Sequence, residues 1–296
     1  MITQYEAANY LTRFGYIDTP QLEAFGFARR KAFAPVGDVA SAIAHFQRNF
    51  SLPVTGEIDD ATLSFMSRPR CGMPDVGSFV LTGNKWPNST ISYRIDSLTP
   101  DIYGETARAA IADAFKLWRD KAKIDFVAVP GDAGVADIVI KFAQGEHGDG
   151  VPFDGPGQVL AHAFFPGQGD ISGDTHFDEA EKWSVDGSGV DLVTVAAHEF
   201  GHALGLAHSN TQGALMYPYY SGPMRFLHAD DIAGIQTLYG ARVEAPTPPP
   251  APPPAPPAPP KTRHFVRRRW IEENEYSDGT REPTEWTATA TPPPGV

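Results

Sequence analysis

Residues 198–208 of this 296-residue chain read His-Glu-Phe-Gly-His-Ala-Leu-Gly-Leu-Ala-His, the pattern H-E-x-x-H-x-x-G-x-x-H. Histidines four apart sit one turn from each other on a helix, so the imidazoles of His198 and His202 reach one point. Gly205 is the residue type that lets a helix stop and the chain turn, because glycine tolerates positive φ. That turn brings His208 round as a third nitrogen. Three protein ligands on Zn²⁺ leave one tetrahedral position for water, as a catalytic site requires. Glu199, beside the first ligand, is suited to take a proton from that water.

The length allows one full domain and a smaller companion. The net charge is −12 and no basic stripe runs along a helix or strand, so nucleic acid is not an expected partner. The single cysteine, Cys71, excludes an intramolecular disulfide. No apolar run approaches the length of a membrane span. Residues 1–16 lack the basic start and apolar stretch of a signal peptide.

Composition divides the chain into four parts. Residues 1–78 look helical: Tyr5, Ala8, Leu11 and Phe14 recur near the helical period, a second helix is predicted around residues 40–50, and Asp59 or Asp60 caps a third. Residues 79–241 mix strands, near 89–95, 124–129, 136–143 and 161–165, with a long amphipathic helix over 101–121. Asp191 is a good N-cap for the helix carrying His198, and Gly240 ends a last helix over 230–239. Residues 242–260 form a linker of proline and alanine that favours polyproline II. Residues 261–296 are polar and read as a disordered tail.

Two further motifs support the first. Met216, in Ala214-Leu215-Met216-Tyr217, follows His208 by a short loop; a methionine turn beneath three zinc-binding histidines marks the metzincins. Cys71 stands in Pro69-Arg70-Cys71-Gly72-Met73-Pro74-Asp75. A thiolate is a strong zinc ligand, and a thiol in the open position excludes water and makes a latent enzyme. Gly72 permits close backbone approach, and Arg70 and Asp75 are suited to brace the loop as a pair.

On these motifs the chain resembles the matrixins, matrix metalloproteinase-like zymogens, over residues 1–241. Residues 46–48 and 52–59 look like a peptidoglycan-binding-like module serving as a propeptide. The resemblance implies an α+β fold: a metzincin catalytic domain, with a twisted mixed β-sheet and three helices, preceded by a small three-helix prodomain. It implies a monomeric, extracellular zinc endopeptidase with Glu199 as general base, His198, His202 and His208 on the catalytic zinc, and Cys71 as the latent form's fourth ligand. Protein or peptide substrates and an activating protease are the implied partners. Cleavage near Phe79 would free an amine to pair with Asp230.

By the same resemblance His147, Asp149, His162 and His176 hold a second, structural zinc, since four protein ligands leave no open position. Two calcium sites are implied. One uses Asp154, Gly155, Gly157, Val159, Asp178 and Glu181; the other uses Asp137, Asp170, Ser172 and Asp174, in a loop that departs from the family pattern. Pro218, Tyr219 and Tyr220 line the pocket for the residue after the scissile bond, with Thr194 near its base. A small threonine there leaves the pocket open to leucine or larger apolar side chains. The peptide is expected along the edge strand near residues 161–165. Two competing readings are a wall-binding module, through residues 1–68, and a non-catalytic metal-stabilised scaffold, against which Glu199, the three histidines and Met216 argue.

Overall fold

The computed structural model describes residues 4–17, 39–75, 84–131, 134–167, 169–242 and 268–288. The linker expected over 242–260 lies outside them except for Arg242, as does the expected cleavage point near Phe79.

Three short helices form the N-terminal region: α1 (Gln4–Arg13), α2 (Val39–Asn49) and α3 (Asp60–Met66). The buried face of α1 and its end is Ala7, Tyr10, Leu11 and Phe14; Leu11 and Phe14 were expected there, and Ala7 takes the place of the expected Ala8. Phe46 of α2 packs against this face. Asp59 is the N-cap of α3, its side chain accepting from Thr62 N. Buried Gln47 ties α2 to the loop before α3: its Oε1 accepts from Thr55 N and Gly56 N, and its Nε2 donates to Glu57 O and Thr62 Oγ1.

The larger region is built on a six-stranded sheet in the order β1-β5-β6-β4-β2-β3. Its strands are β1 (Arg70–Cys71), β2 (Thr90–Ile95), β3 (Asp125–Ala128), β4 (Ile138–Ala143), β5 (Val159–Ala163) and β6 (Thr175–Asp178). Only the β5–β6 pair is antiparallel. The strand β4 alternates buried and half-buried residues and was legible by period two. Every residue of β6 is buried, so no alternation marks it, and the sequence reading missed it. Strands β7 (Trp183–Ser184) and β8 (Val190–Asp191) form a short parallel pair.

Three helices complete this region: α4 (Gly104–Arg119), α5 (Leu192–Ala203) and α6 (Ala229–Tyr239). All twelve residues of α5 are buried, the condition of a helix covered on every side. Phe200 of α5 stacks on Phe115 of α4 with centroids 3.7 Å apart, and Trp118 Nε1 donates to Ala197 O. The reading of this half as α+β, with a mixed sheet and three helices behind a three-helix region, holds.

Residues 245–296 form a separate unit. The disordered tail expected over 261–296 is corrected within it: β9 (Arg268–Glu275) and β10 (Arg281–Ala288) make an antiparallel hairpin. The turn runs from Tyr276 to Gly279, with Gly279 N donating to Tyr276 O, Gly279 at φ +83° and Asp278 Oδ1 accepting from Thr280 N. An Asp-Gly pair between two runs with tryptophan, isoleucine and threonine is a hairpin signal that overall polarity concealed.

Candidate metal centre

The end of α5 shapes the centre. Asp191 caps the helix by accepting from Thr194 N at 2.9 Å. The helix presents His198 and His202 on one face, with their Nε2 atoms 3.2 Å apart. It stops at Gly205, where φ is +106° and any Cβ would lie 2.3 Å from Asn84 O. Both the turn and the crowding demand glycine. The chain returns with His208, whose ring centroid lies 4.7 Å from that of His202.

Each ring has its outer nitrogen engaged. His198 Nδ1 hydrogen-bonds Leu215 O, His202 Nδ1 hydrogen-bonds Leu206 O, both at 2.7 Å, and His208 Nδ1 meets Asp75 Oδ1 at 3.0 Å. Carbonyl and carboxylate partners require these nitrogens to carry the proton, which leaves each Nε2 with its lone pair. Met216 is buried against α5 at Gly201, and Asp231 of α6 fixes its loop by accepting from Leu215 N and Met216 N.

The segment carrying Cys71 enters from the N-terminal region as β1. It pairs in parallel with β5 at the sheet edge. Arg70 N donates to Gln158 O and Gly72 N to Ala161 O; on the other side Cys71 N donates to Pro218 O and Tyr220 N to Pro69 O. A Cβ on Gly72 would stand 2.8 Å from Val159 Cγ1. Cys71 Sγ thereby reaches 3.5 Å from both His202 Nε2 and Glu199 Oε2. Arg70 and Asp75 form the expected pair, with Nη2–Oδ1 2.5 Å and both side chains 1% exposed.

The electrostatics fit a cation. Burial, with His208 alongside, pushes His198 down to about 3 and His202 well below its usual value, so these rings are neutral. Burial, with Glu199 beside it, pushes the Cys71 thiol well up. Burial also raises the Glu199 carboxyl to about 8. His208 Nε2 and Glu199 Oε1 are buried with no hydrogen-bond partner. Cys71, His198, His202 and His208 bring one ligand atom each within 4.8 Å of one another. Three imidazole lone pairs and one sulfur are a zinc donor set, and a cation there relieves the unsatisfied Nε2.

A second group of the same spacing consists of His147, Asp149, His162 and His176. Asp149 Oδ2 lies 2.7 Å from His147 Nε2, 2.8 Å from His162 Nε2 and 2.7 Å from His176 Nδ1. Burial and the neighbouring histidines leave His162 at about 4, neutral. Against the burial that would raise it, hydrogen bonds from His162 and His176 hold Asp149 well below the carboxylate range. This set also fits zinc.

The candidate calcium ligands are less convergent. The loop at Gly155 and Gly157 wraps onto two buried carboxylates: Gly155 N donates to Asp178 Oδ2 and Gly157 N to Glu181 Oε1. Val159 N donates to Asp154 Oδ1, and Arg13 of α1 pairs with Asp154 Oδ2 at 3.2 Å. Burial and mutual repulsion with Asp154 raise Asp178 and Glu181. In the other set, Asp137 Oδ2 accepts from Ser92 N and Oγ, Asp174 Oδ1 from Val139 N, and Ser172 Oγ from Gly167 N, while Asp170 is exposed. The metal-spaced groups among the described residues include none of these carboxylates.

Beside Glu199 and His198 opens a cavity of about 300 Å³ whose lining includes Thr194, Leu215, Pro218, Tyr219 and Tyr220. The structure thus brings together all four residues expected there. Arg225 adds a device that sequence reasoning missed: it pairs with Asp191 while Thr194 Oγ1 accepts from Met224 N, which pins the pocket wall to the start of α5. Also missed were Tyr10, Phe14 and Tyr16. The Arg70 guanidinium lies 3.4 Å over the Phe14 ring and donates to Tyr10 Oη, and Tyr16 Oη donates to Asp75 Oδ2. Of the three, the sequence reading named only Phe14, and only for its helical spacing with Leu11.

A glutamate and two histidines on a sheet-backed helix, a third histidine after its glycine turn and a methionine turn below define a metzincin-type chain. Residues 85–240 match the family model described as matrixin, and the chain belongs to that family. Residues 5–66 match a second model, described as "Putative peptidoglycan binding domain". Similar curated proteins include human matrix metalloproteinase-20, 48% identical over 68% of this chain and 42% of the relative. Pig interstitial collagenase is 50% identical over 69% of this chain and 44% of its own length. Mouse stromelysin-1 is 48% identical over 70% and 44%. The chain therefore spans less than half the length of these relatives. No helix among the described residues is long and apolar enough to cross a membrane.

Proposed function

We propose that this chain is a zinc-dependent endopeptidase made as a latent zymogen, acting on extracellular proteins or peptides. The observation that carries the reading is the meeting of Cys71 Sγ with the His202 Nε2 and Glu199 positions at the mouth of the lined cavity. Zinc held by His198, His202 and His208 would supply Lewis acidity toward a scissile carbonyl and a bound water. Glu199 takes the water's proton and delivers it to the leaving amine. The substrate chain lies along the free edge of β5, which β1 covers in the latent state. The cavity past Pro218 to Tyr220 takes the side chain after the cleaved bond.

Cys71 is the latch, and Arg70, Asp75, Tyr10 and Phe14 hold it in place. A second zinc on His147, Asp149, His162 and His176 is structural, tying β5 and β6 to the loop at 147–149. Calcium is proposed on the Asp154, Asp178 and Glu181 carboxylates, and on the loop of Asp137, Asp170, Ser172 and Asp174. The domain limits 1–78, 79–241, 242–260 and 261–296, a monomeric state and removal of the prodomain by an activating protease belong to the same reading.

The test is peptide cleavage by the full chain before and after Cys71→Ala, with Glu199→Ala as the blank. Low activity that rises on losing the thiol supports both hydrolase and latch. Equal activity in both keeps the hydrolase and discards the latch. The match of residues 5–66 favours a second reading, glycan binding by the helical region, which a murein pull-down of the full chain would test.

A further inference from the structure

The outer nitrogens of the three candidate zinc ligands do not share a common source of support. His198 and His202 bond to Leu215 O and Leu206 O, carbonyls of the same region that carries the rings. His208 Nδ1 bonds instead to Asp75 Oδ1 at 3.0 Å. This acceptor belongs to the segment that follows Cys71. The contact is built: Asp75 and the His208 side chain are each 1% exposed. Asp75 N donates to Phe14 O, which anchors the residue to the end of α1. Its Oδ2 accepts from Arg70 Nη1 and Tyr16 Oη, so Oδ1 is aimed at Arg70 Nη2 and at the histidine.

A ligating histidine that donates its second N–H to a carboxylate is held in orientation and becomes a stronger donor through its other nitrogen; removing such a partner typically lowers metal affinity 10–100-fold. We propose that the N-terminal region supplies, through Asp75, the outer carboxylate of the third zinc ligand, and so strengthens zinc binding independently of the Cys71 thiol. The inference rests on the zinc reading above. It gives the N-terminal region two separable actions on one ion: the thiol fills the coordination shell, and Asp75 orients His208. When the region leaves, His208 loses its outer partner while His198 and His202 keep theirs, which makes His208 the least supported of the three.

The test uses the full chain with Cys71→Ala, so that the thiol plays no part. Zinc release to a chromogenic chelator is followed with and without Asp75→Asn, and the phase belonging to this site is identified by its absence in His202→Ala. Release about 10-fold faster or more with Asp75→Asn is expected. Arg70→Gln, which breaks the same ion pair but spares the Asp75–His208 contact, is expected to change release much less. Equal release with Asp75→Asn, or equal acceleration by Arg70→Gln, overturns the inference.

Ring ¹⁵N spectra of the zinc-loaded Cys71→Ala chain provide a second reading that needs no rate. Asp75→Asn is expected to shift the His208 Nδ1–H signal and leave those of His198 and His202 in place. Unmoved His208, or all three moving together as in general loosening, overturns it. If the Cys71→Ala chain binds no zinc at the three histidines, the zinc reading falls as well; zinc bound with indifferent release removes this inference alone.

Discussion

The hydroxyls of Tyr10 and Tyr219 lie 2.6 Å apart, joining α1 to the pocket wall across 209 residues of sequence. Arg70 Nη1 donates to both oxygens, at 2.8 and 3.2 Å. Tyr10→Phe removes one acceptor of a fully buried guanidinium. Losing a hydrogen bond to a charged group costs on the order of 1.5–3 kcal/mol. Chemical denaturation is expected to show that loss, and the uncleaved chain is expected to hydrolyse peptide faster. A variant with unchanged stability and latency would remove Tyr10 from the latch.

Gly72→Ala tests the latch from the other side. Its Cβ would stand 2.8 Å from Val159 Cγ1 and 3.2 Å from Ala161 O, and the carbonyl cannot rotate away from the strand. Overpacking of this kind costs about 1–3 kcal/mol, taken here from the docking of β1 on β5. Peptide cleavage by the full chain is expected to rise toward that of Cys71→Ala. Activity as low as in the unaltered chain would show that the segment accommodates a methyl group.

Glu199→Ala removes the carboxylate that lies 3.5 Å from Cys71 Sγ and leaves the three histidines intact. Turnover in the Cys71→Ala background is expected to fall at least 100-fold, the lower range for a general base. Zinc content by atomic absorption is expected to stay the same. Substantial residual turnover would reassign the base.

The cavity beside Glu199 is lined largely by apolar groups, with small Thr194 near the start of α5. A peptide-library profile is expected to favour leucine or larger apolar residues just after the cleaved bond. A preference for alanine or glycine would contradict the pocket.

Chelation probes the second zinc set. Without a cation, three histidines are left to crowd one Asp149 oxygen. Metal removal is expected to lower the thermal midpoint even in His202→Ala, whose first site is already broken. No change there would deny the group a structural role.

Local patterns were legible where they follow from local chemistry. His198 and His202 share a face because helical spacing requires it, Gly205 turns because its φ is positive, and Asp59 and Asp191 cap because their carboxylates reach backbone N–H groups three residues on. The alternating strand β4 announced itself. Wholly buried β6 did not, and the Asp278-Gly279 hairpin was hidden in a polar tail.

The sequence by itself determined the ligand types, their spacing, the order of the motifs and the pairing of opposite charges at Arg70 and Asp75. Tertiary structure alone decided what those groups meet. It placed Cys71 against His202 and Glu199, more than 120 residues away, and joined Tyr10 to Tyr219. It gave Asp75 to His208, Arg13 to Asp154 and Arg225 to Asp191. Periodicity specifies which face of an element is covered. The partner on that face depends on how distant elements dock, and docking is set by summed packing over the whole core, which no local pattern records.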